Sequence, residues 1–505
     1  MHSSGIQGGA LALACLLAIP AHATVVVSNG ATSHMDCAAG LCAPTAKNAV
    51  LNAGDLQTML ASSDVKITTG SGAAEIHVTA PVTWTSANRL TLDARRSIAI
   101  RAAVVSQGTG GVTIATNDGG SGGALIFVSG GTISFLSNAS SLIIGGNAYT
   151  LVSDLTSLES AVAGNKFGRF ALAKDYDAGP HGRYTTAAVT AEFDGTFEGL
   201  GHRIANLSVT GDAAAGMFAV AGTNNADGGP ADLRDLVLAN AVIRAGERAV
   251  AGALAARLVG TIENVSSSGS VVAGARSEVG GLAGFAGGSI VNSSSSAGIV
   301  SGKHGVAGGL AGVAQAISLS HATGDITVGD GSVVGGLAGG VGVSLSQSYA
   351  TGNVTSTRPK TQIMGGLVGN LGQANVSDCY TTGSVEAGGA SALGGMFGET
   401  FGGLIKTSYS AGAVMFSTAA AGTRFGRPRV GGFTGRYAGG VYTSDYWDVD
   451  TSGQQNACNK KCQSIEGLGD AALKSGLPAG FDTAIWAQSP AINNGYPYLL
   501  ANPPP

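Results

Sequence analysis

A five-residue segment of two glycines, an apolar residue, a variable residue and a third glycine recurs through the second half of this chain. GGLAG begins at Gly280, at Gly308 and at Gly335, GGLVG at Gly365, GGMFG at Gly394 and GGFTG at Gly431. The successive offsets are 28, 27, 30, 29 and 37 residues, and weaker copies stand earlier, AGALA from Ala251 and AGMFA from Ala215. A period between 20 and 50 residues constrains the architecture more than any single motif, because one such unit cannot bury its own apolar face and must stack on its neighbours.

A second segment accompanies each copy: IENVSSSGSV from Ile262, IVNSSSSAGIV from Ile290, ISLSHATGDI from Ile317, SLSQSYATGNV from Ser344, NVSDCYTTGSV from Asn375 and LIKTSYSAGAV from Leu404. Short runs alternating small or apolar with polar residues predict strands of about three to five residues, with glycines at corners where backbones approach closely. Helix is disfavoured here. Stacking in register predicts an inward ladder of Leu282, Leu310, Leu337, Leu367 and Met396. It predicts a second column of Tyr349, Tyr380 and Tyr409, with His321 and Ser295 in the same place, and a common turn at Gly298, Gly324, Gly352, Gly383 and Gly412. Cys379 then falls where Ser294, Ser320, Ser348 and Ser408 stand, which favours a small buried thiol over a reactive nucleophile. About eight units at the spacing of parallel strands would span about 40 Å.

With these units, the chain resembles the GLUG-motif repeats of filamentous-haemagglutinin-like surface proteins and of some immunoglobulin A peptidases. FDGTFEGLGHRIANLSV from Phe193 resembles the stretch that opens such arrays; YWDVDTSGQ from Tyr446 and GLPAGFDTAIWAQSPAINNGYPYLL resemble their closing segment. LTLDARRSIAIRAAVVSQGTGGVTIATNDGGSGGALIF from Leu90 resembles the haemagglutinin-type coils of the same class. The resemblance implies an all-β chain forming a right-handed parallel β-helix, a solenoid with short helical and loop caps. It departs from the family in lacking NPNL or NPNGI segments, an LPxTG-like signal and a series of barrel strands.

An apolar run from Ala10 to Ile19, the breaker Pro20 and the small-x-small Ala21-His22-Ala23 predict a signal peptide over 1–23, although Met1 to Gly9 holds no Lys or Arg. Cys15 lies in a poor lipobox, and no later stretch reaches the length of a membrane helix. Cys37 with Cys42 and Cys458 with Cys462 form close pairs, read as disulfides of an oxidising compartment; one metal site built from all four is the alternative. The expected divisions are a cap over 24–60 containing Cys37 and Cys42, coils over 61–150, a helix-containing connector over 151–190, the repeat array over 191–447, and a cap with a Pro-rich end over 448–505. Helices are expected from Asp55 to Leu60, capped by the Asp55 carboxylate, and from Asp154 to Ala163. The chain from Gly467 to Leu500, with Trp486 and Tyr496, is expected to cap the last coil.

A fold does not imply a function, so any chemistry must rest on particular residues. The repeats place Ser, Thr, Ala, Gly and Tyr where a glycosidase would need paired acids, and Asp194, Glu198 and Asp212 read as turn and edge residues. No HExxH motif occurs; His181, His202 and His321 stand singly, and Trp447 with Asp448 reads as cap more than binding lip. A formal charge of −4 without Lys/Arg clusters gives no footprint for nucleic acid. No catalytic, cofactor or metal residue is expected. The expected function is that of an exported, non-enzymatic, adhesin-like protein, secreted or at the cell surface, which binds a surface, matrix or glycan ligand. The alternative is a carbohydrate-active lyase or hydrolase on the same fold.

Overall fold

A computed structural model describes residues 23–505 except 129, 357–361, 389–390, 418–427 and 460–461; the expected signal peptide lies, but for Ala23, outside the described residues. The chain is mostly β, and the strands pair in parallel with few exceptions. No helix among the described residues is long and apolar enough to cross a membrane.

The first coils build three sheets, each gaining strands as the chain returns. Ala49–Asn52, Thr24–Ser28, Glu75–Val78, Ile98–Ile100 and Leu125–Phe127 lie side by side in one. Val82–Trp84, Ala103–Ser106 and Thr132–Phe135 form the second, and Val65–Thr68, Leu90–Asp93, Val112–Ala115 and Leu142–Ile144 the third. Alternating Val and Ile in these strands point inward and are buried almost completely. The strands Thr24–Ser28 and Ala49–Asn52 thus share a sheet with the coils, while Met35–Ala38 and Leu41–Pro44 form an antiparallel hairpin in which Cys37 is bonded to Cys42.

Helix α1, Ala53–Ser62, is capped by Asn52, whose Oδ1 accepts from the amides of Gly54 and Asp55. The expected cap Asp55 instead lies in the first turn, where its charge suits the helix dipole and its carboxylate accepts from Thr32 Oγ1 at 2.5 Å. Helix α2, Leu155–Gly164, is capped by Asp154 in a reciprocal box with Ser157. Its Leu155, Leu158 and Val162 pack into the core of the second half.

From residue 214 onward, corresponding strands pair one period apart. Ala214–Ala215, Val250–Ala251, Glu278–Gly280, Val306–Gly308, Val333–Gly335, Ile363–Gly365, Ala392–Gly394 and Arg429–Gly431 form one eight-stranded sheet. The longer strands, among them Ala283–Val291, Ala311–Ser318 and Ala338–Ser346, stack in the same order. The inward ladder runs from Leu254 through Leu282, Leu310, Leu337, Leu367 and Met396 to Phe433, all fully buried. Each backbone amide donates to the carbonyl of the next rung, as Leu310 does to Leu337 at 2.9 Å. Removing each such side chain from water stabilises the fold by about 1.5–3 kcal/mol. The paired glycines follow from the tightness of this corner: a Cβ at Gly308 would strike the Ala311 carbonyl, and one at Gly309 the Gly336 carbonyl.

One unit is registered differently from the sequence reading. Ser294, not Ser295, pairs with His321, and Ser295 pairs with Ala322. Ser293, not Ser294, holds the Cys379 position, because the Ser293 amide donates to Ser320 Oγ as the Cys379 amide does to Ser408 Oγ. Ala297, not Gly298, underlies the turn column of Gly324, Gly352, Gly383 and Gly412. Four successive serines, Ser293 to Ser296, present no change of size or polarity that could mark the register, and a one-residue slip reverses every face.

Candidate functional site: an outward row of rings and serines

Along one outward face the in-register stack sets Tyr446, Tyr409, Tyr380, Tyr349, His321, Ser294, Ser266 and Val237 in a single row. Rings at successive rungs stack nearly parallel. The centroids of Tyr380 and Tyr409 lie 5.3 Å apart, Tyr349 and Tyr380 4.6 Å, and His321 and Tyr349 4.7 Å with an interplanar angle of 4°. Tyr349, Tyr380 and Tyr409 are fully buried although they point away from the ladder core.

What buries them is the C-terminal segment. Cys458 is bonded to Cys462, and just before this disulfide the carbonyls of Asn456 and Ala457 accept from the amides of Gly432, Phe433 and Thr434. Residues beyond Asp470, expected to cap the last coil, instead run back along the row. Trp486 packs against Tyr380 and Tyr409, and Tyr496 and Phe481 against Tyr409. Tyr409 Oη donates to the Pro497 carbonyl at 2.6 Å and Tyr349 Oη to that of Pro503 at 3.2 Å. Asn502 Nδ2 donates to the carbonyls of Ser320 and Gln347, each at 3.1 Å, and its Oδ1 lies 2.9 Å from His321 Nδ1. Exposed aromatic edges thus became a second core, separate from the ladder.

At Ser294, Ser266 and Val237 the row is less covered than at its tyrosines. A cavity of about 230 Å³ is lined by Val237, Ser266, Ser294, Ser296, His321 and Pro505 among others. It adjoins one of about 330 Å³ that shares Val237, Ser266 and Ser294 and reaches Asp235, Asn264, Asn292 and the wall of Phe127, Val128 and Gly131. Together they form a groove whose lining, among the described residues, carries hydroxyls, amides and the Asp235 carboxylate. Asp235, Asn264 and Asn292 occupy equivalent corners with φ of 56°, 54° and 46°, a left-handed conformation that Asp and Asn tolerate better than other non-glycine residues. Asn264 Nδ2 donates to Asp235 Oδ1 at 2.6 Å, and Asn292 Nδ2 to Asn264 Oδ1 at 3.5 Å.

Behind the groove Glu198, expected at an edge, pairs with Asp235. Glu198 is buried, accepts from the Leu200 amide at 2.9 Å and lies 3.6 Å from Arg234 Nε. Burial, then the neighbouring Asp235 charge, raises its pKa well above the carboxylate range. Burial pushes Asp235 up to about 6 against the opposing hydrogen bonds from Asn264 and Glu198. The two carboxyls are hydrogen-bonded to each other, whereas glycoside hydrolysis needs them about 5–9.5 Å apart flanking the bond. Asp235 was not singled out from the sequence; its place one period after the FEGLG segment was the available signal.

The other residues considered are dispersed. Asp194 is buried and paired with Lys166 Nζ at 2.9 Å, and Asp212 is exposed. His181 stacks on Tyr184 with centroids 4.2 Å apart. His202 bridges Asp175, at 2.9 Å, and the Ile133 carbonyl, at 2.8 Å. Trp447 and Asp448 are buried; Asp448 caps the short helix α3, Val449–Ser452, and accepts from Tyr496 Oη at 2.9 Å. Cys379 is free and buried, and burial pushes its thiol far above its ordinary pKa. Among the described residues no group of three or more His, Cys, Asp or Glu could hold a metal ion.

Among curated proteins none matches this chain. Among solved structures, a Bacteroides ovatus protein described as a candidate immunoglobulin A1 protease is similar at 16% identity and a TM-score of 0.39, over 70% of this chain and 93% of that one. Residues 362–386, which carry the Leu367 rung, Cys379 and the Tyr380 rung, match the family model of the GLUG motif, so that this is a GLUG-containing protein.

Proposed function

We propose that the chain is a right-handed parallel β-helix acting outside the cytoplasm as an adhesin-like binding protein, of the filamentous-haemagglutinin-like kind, without catalytic turnover. Its handedness follows from the strong preference for right-handed crossovers between parallel strands. Export is supported by the apolar run before Thr24 and by the bonded cysteine pairs, which suit an oxidising compartment.

The observation that carries the reading is the groove from His321 to Asp235, a preformed concave site whose lining of Ser and Asn can hydrogen-bond a surface, matrix or glycan ligand. A carbohydrate-active enzyme is the second reading. Asp235, titrating near 6 at the groove wall, favours it as a proton-transfer group; the direct contact of its partner Glu198 argues against it. Residues 24–505 should be tested on immobilised glycans and extracellular-matrix proteins. Saturable binding to one class supports the reading, and absence of binding to every surface contradicts it.

A further inference from the structure

The row of rings stops at His321. Toward the C-terminus, rungs one strand spacing apart carry Tyr349, Tyr380, Tyr409 and Tyr446; toward the N-terminus the same positions hold Ser294 and Ser266. One face of the His321 ring is covered by Tyr349, and the other is turned toward the space that a ring at Ser294 would fill. That space is the cavity of about 230 Å³, closed on one side by Pro505. No partner in the chain, among the described residues, engages the hydroxyls of Ser266 and Ser294.

We propose, resting on the binding-protein reading above, that this vacancy is a slot for one neutral pyranose ring of a glycan, which lies as the next rung on His321 and is hydrogen-bonded by Ser266 and Ser294. The stack itself shows that a flat group fits at this spacing. A pyranose presents an apolar C–H face for the imidazole and hydroxyls at its rim for the serines, which is the mixture the lining offers; a purely aromatic ring would leave the serine hydroxyls unmatched. The sugar should be neutral, because among the described residues the charged side chain lining the joined groove is that of Asp235, which would repel uronate or sulfate.

The tautomer of His321 is set from behind. Asn502 Nδ2 is committed to two carbonyls, so its Oδ1 accepts the Nδ1 proton and leaves Nε2 as an acceptor. Burial lowers the pKa of His321, keeping the ring neutral and the stacking face uncharged.

The test measures binding of neutral hexopyranose oligosaccharides, and of uronate-containing or sulfated ones of equal length, to residues 24–505 and to Ser294→Tyr, His321→Ala and His321→Phe. Ser294→Tyr extends a stack the fold already builds and should abolish neutral-glycan binding without lowering the unfolding midpoint. His321→Ala should weaken binding about threefold to tenfold, and His321→Phe should stay within about twofold of the parent. If Ser294→Tyr fails to fold, the contrast between Ala and Phe at His321 decides. Undiminished binding in Ser294→Tyr, equal loss in both His321 variants, or preference for the acidic glycans overturns the slot. Binding of the parent to a matrix protein but to no glycan overturns the slot and leaves the binding-protein reading standing; binding to nothing overturns both.

Discussion

His321 and Asn502 are 181 residues apart in sequence, and their side chains meet at 2.9 Å. That bond, with the two carbonyls Asn502 also holds, fastens the C-terminal segment to the outward row at the point where the rings give way to serines. It fixes where the covered aromatic core ends and the open groove begins.

Replacing Asn502 by Ala removes the partner of the Gln347 carbonyl and of His321 Nδ1, while the Ser320 carbonyl keeps the Tyr349 amide. Stability to urea should fall by about 1–3 kcal/mol, and amide exchange of residues 498–502 should quicken ahead of exchange in the Leu310 and Leu337 rungs.

The tyrosine row should carry stability out of proportion to its outward position. Tyr380→Ala empties a fully buried ring site between two stacked neighbours and should cost about 3–5 kcal/mol. Tyr409→Phe, which loses the bond to the Pro497 carbonyl and the one accepted from Asn493 Nδ2, should cost about 1–2 kcal/mol. Denaturant midpoints of the two variants check the difference.

Two buried carboxyls should each contribute stability that declines as pH rises. Asp235 at about 6 and Asp445 at about 8 are both raised by burial. Each therefore binds its proton more tightly folded than unfolded, so its contribution is complete below about pH 4 and is lost as pH rises through the folded pKa. Asp235→Asn, which keeps an acceptor for Asn264 and tolerates the left-handed corner, should flatten the dependence between pH 4 and 6. Urea midpoints at pH 4.5 and 7.5 for parent and variant measure it.

Cys379 should be silent in the folded protein. In residues 24–505 under non-reducing conditions, iodoacetamide should add to no thiol natively and to one in denaturant, read by intact mass. Its burial and raised pKa deny the reagent both access and thiolate.

The stacking was legible because glycines and leucines carry steric information. Gly308 and Gly309 are required by neighbouring carbonyls, and Leu310 can only face inward, so their recurrence announces both the unit and its register. The register was lost where information vanished, in the serine run from Ser293 to Ser296. Left-handed corners at Leu319 and Thr407, with φ of 52° and 49°, were equally invisible, since neither residue prefers that conformation and only the stacked neighbours impose it.

The groove was less legible than the fold. A row of Tyr and His could be aligned, but its burial depends on residues 481–503 returning from more than 70 positions away, contacts that no local pattern encodes. The Glu198–Asp235 pair likewise arises between residues 37 apart, on strands that precede the GGLAG copies, so that no repeated motif marks the two residues as neighbours.

The central claim is that the groove holds a ligand without transforming it. The direct measurement incubates residues 24–505 with each glycan it binds and follows bound ligand and released product in the same sample, at pH 5 and pH 7.5. Saturable binding with the glycan recovered intact at both values is the expected result. Product released by the parent protein, and lost in Asp235→Asn, would contradict the account and make the acid pair behind the groove its catalytic centre.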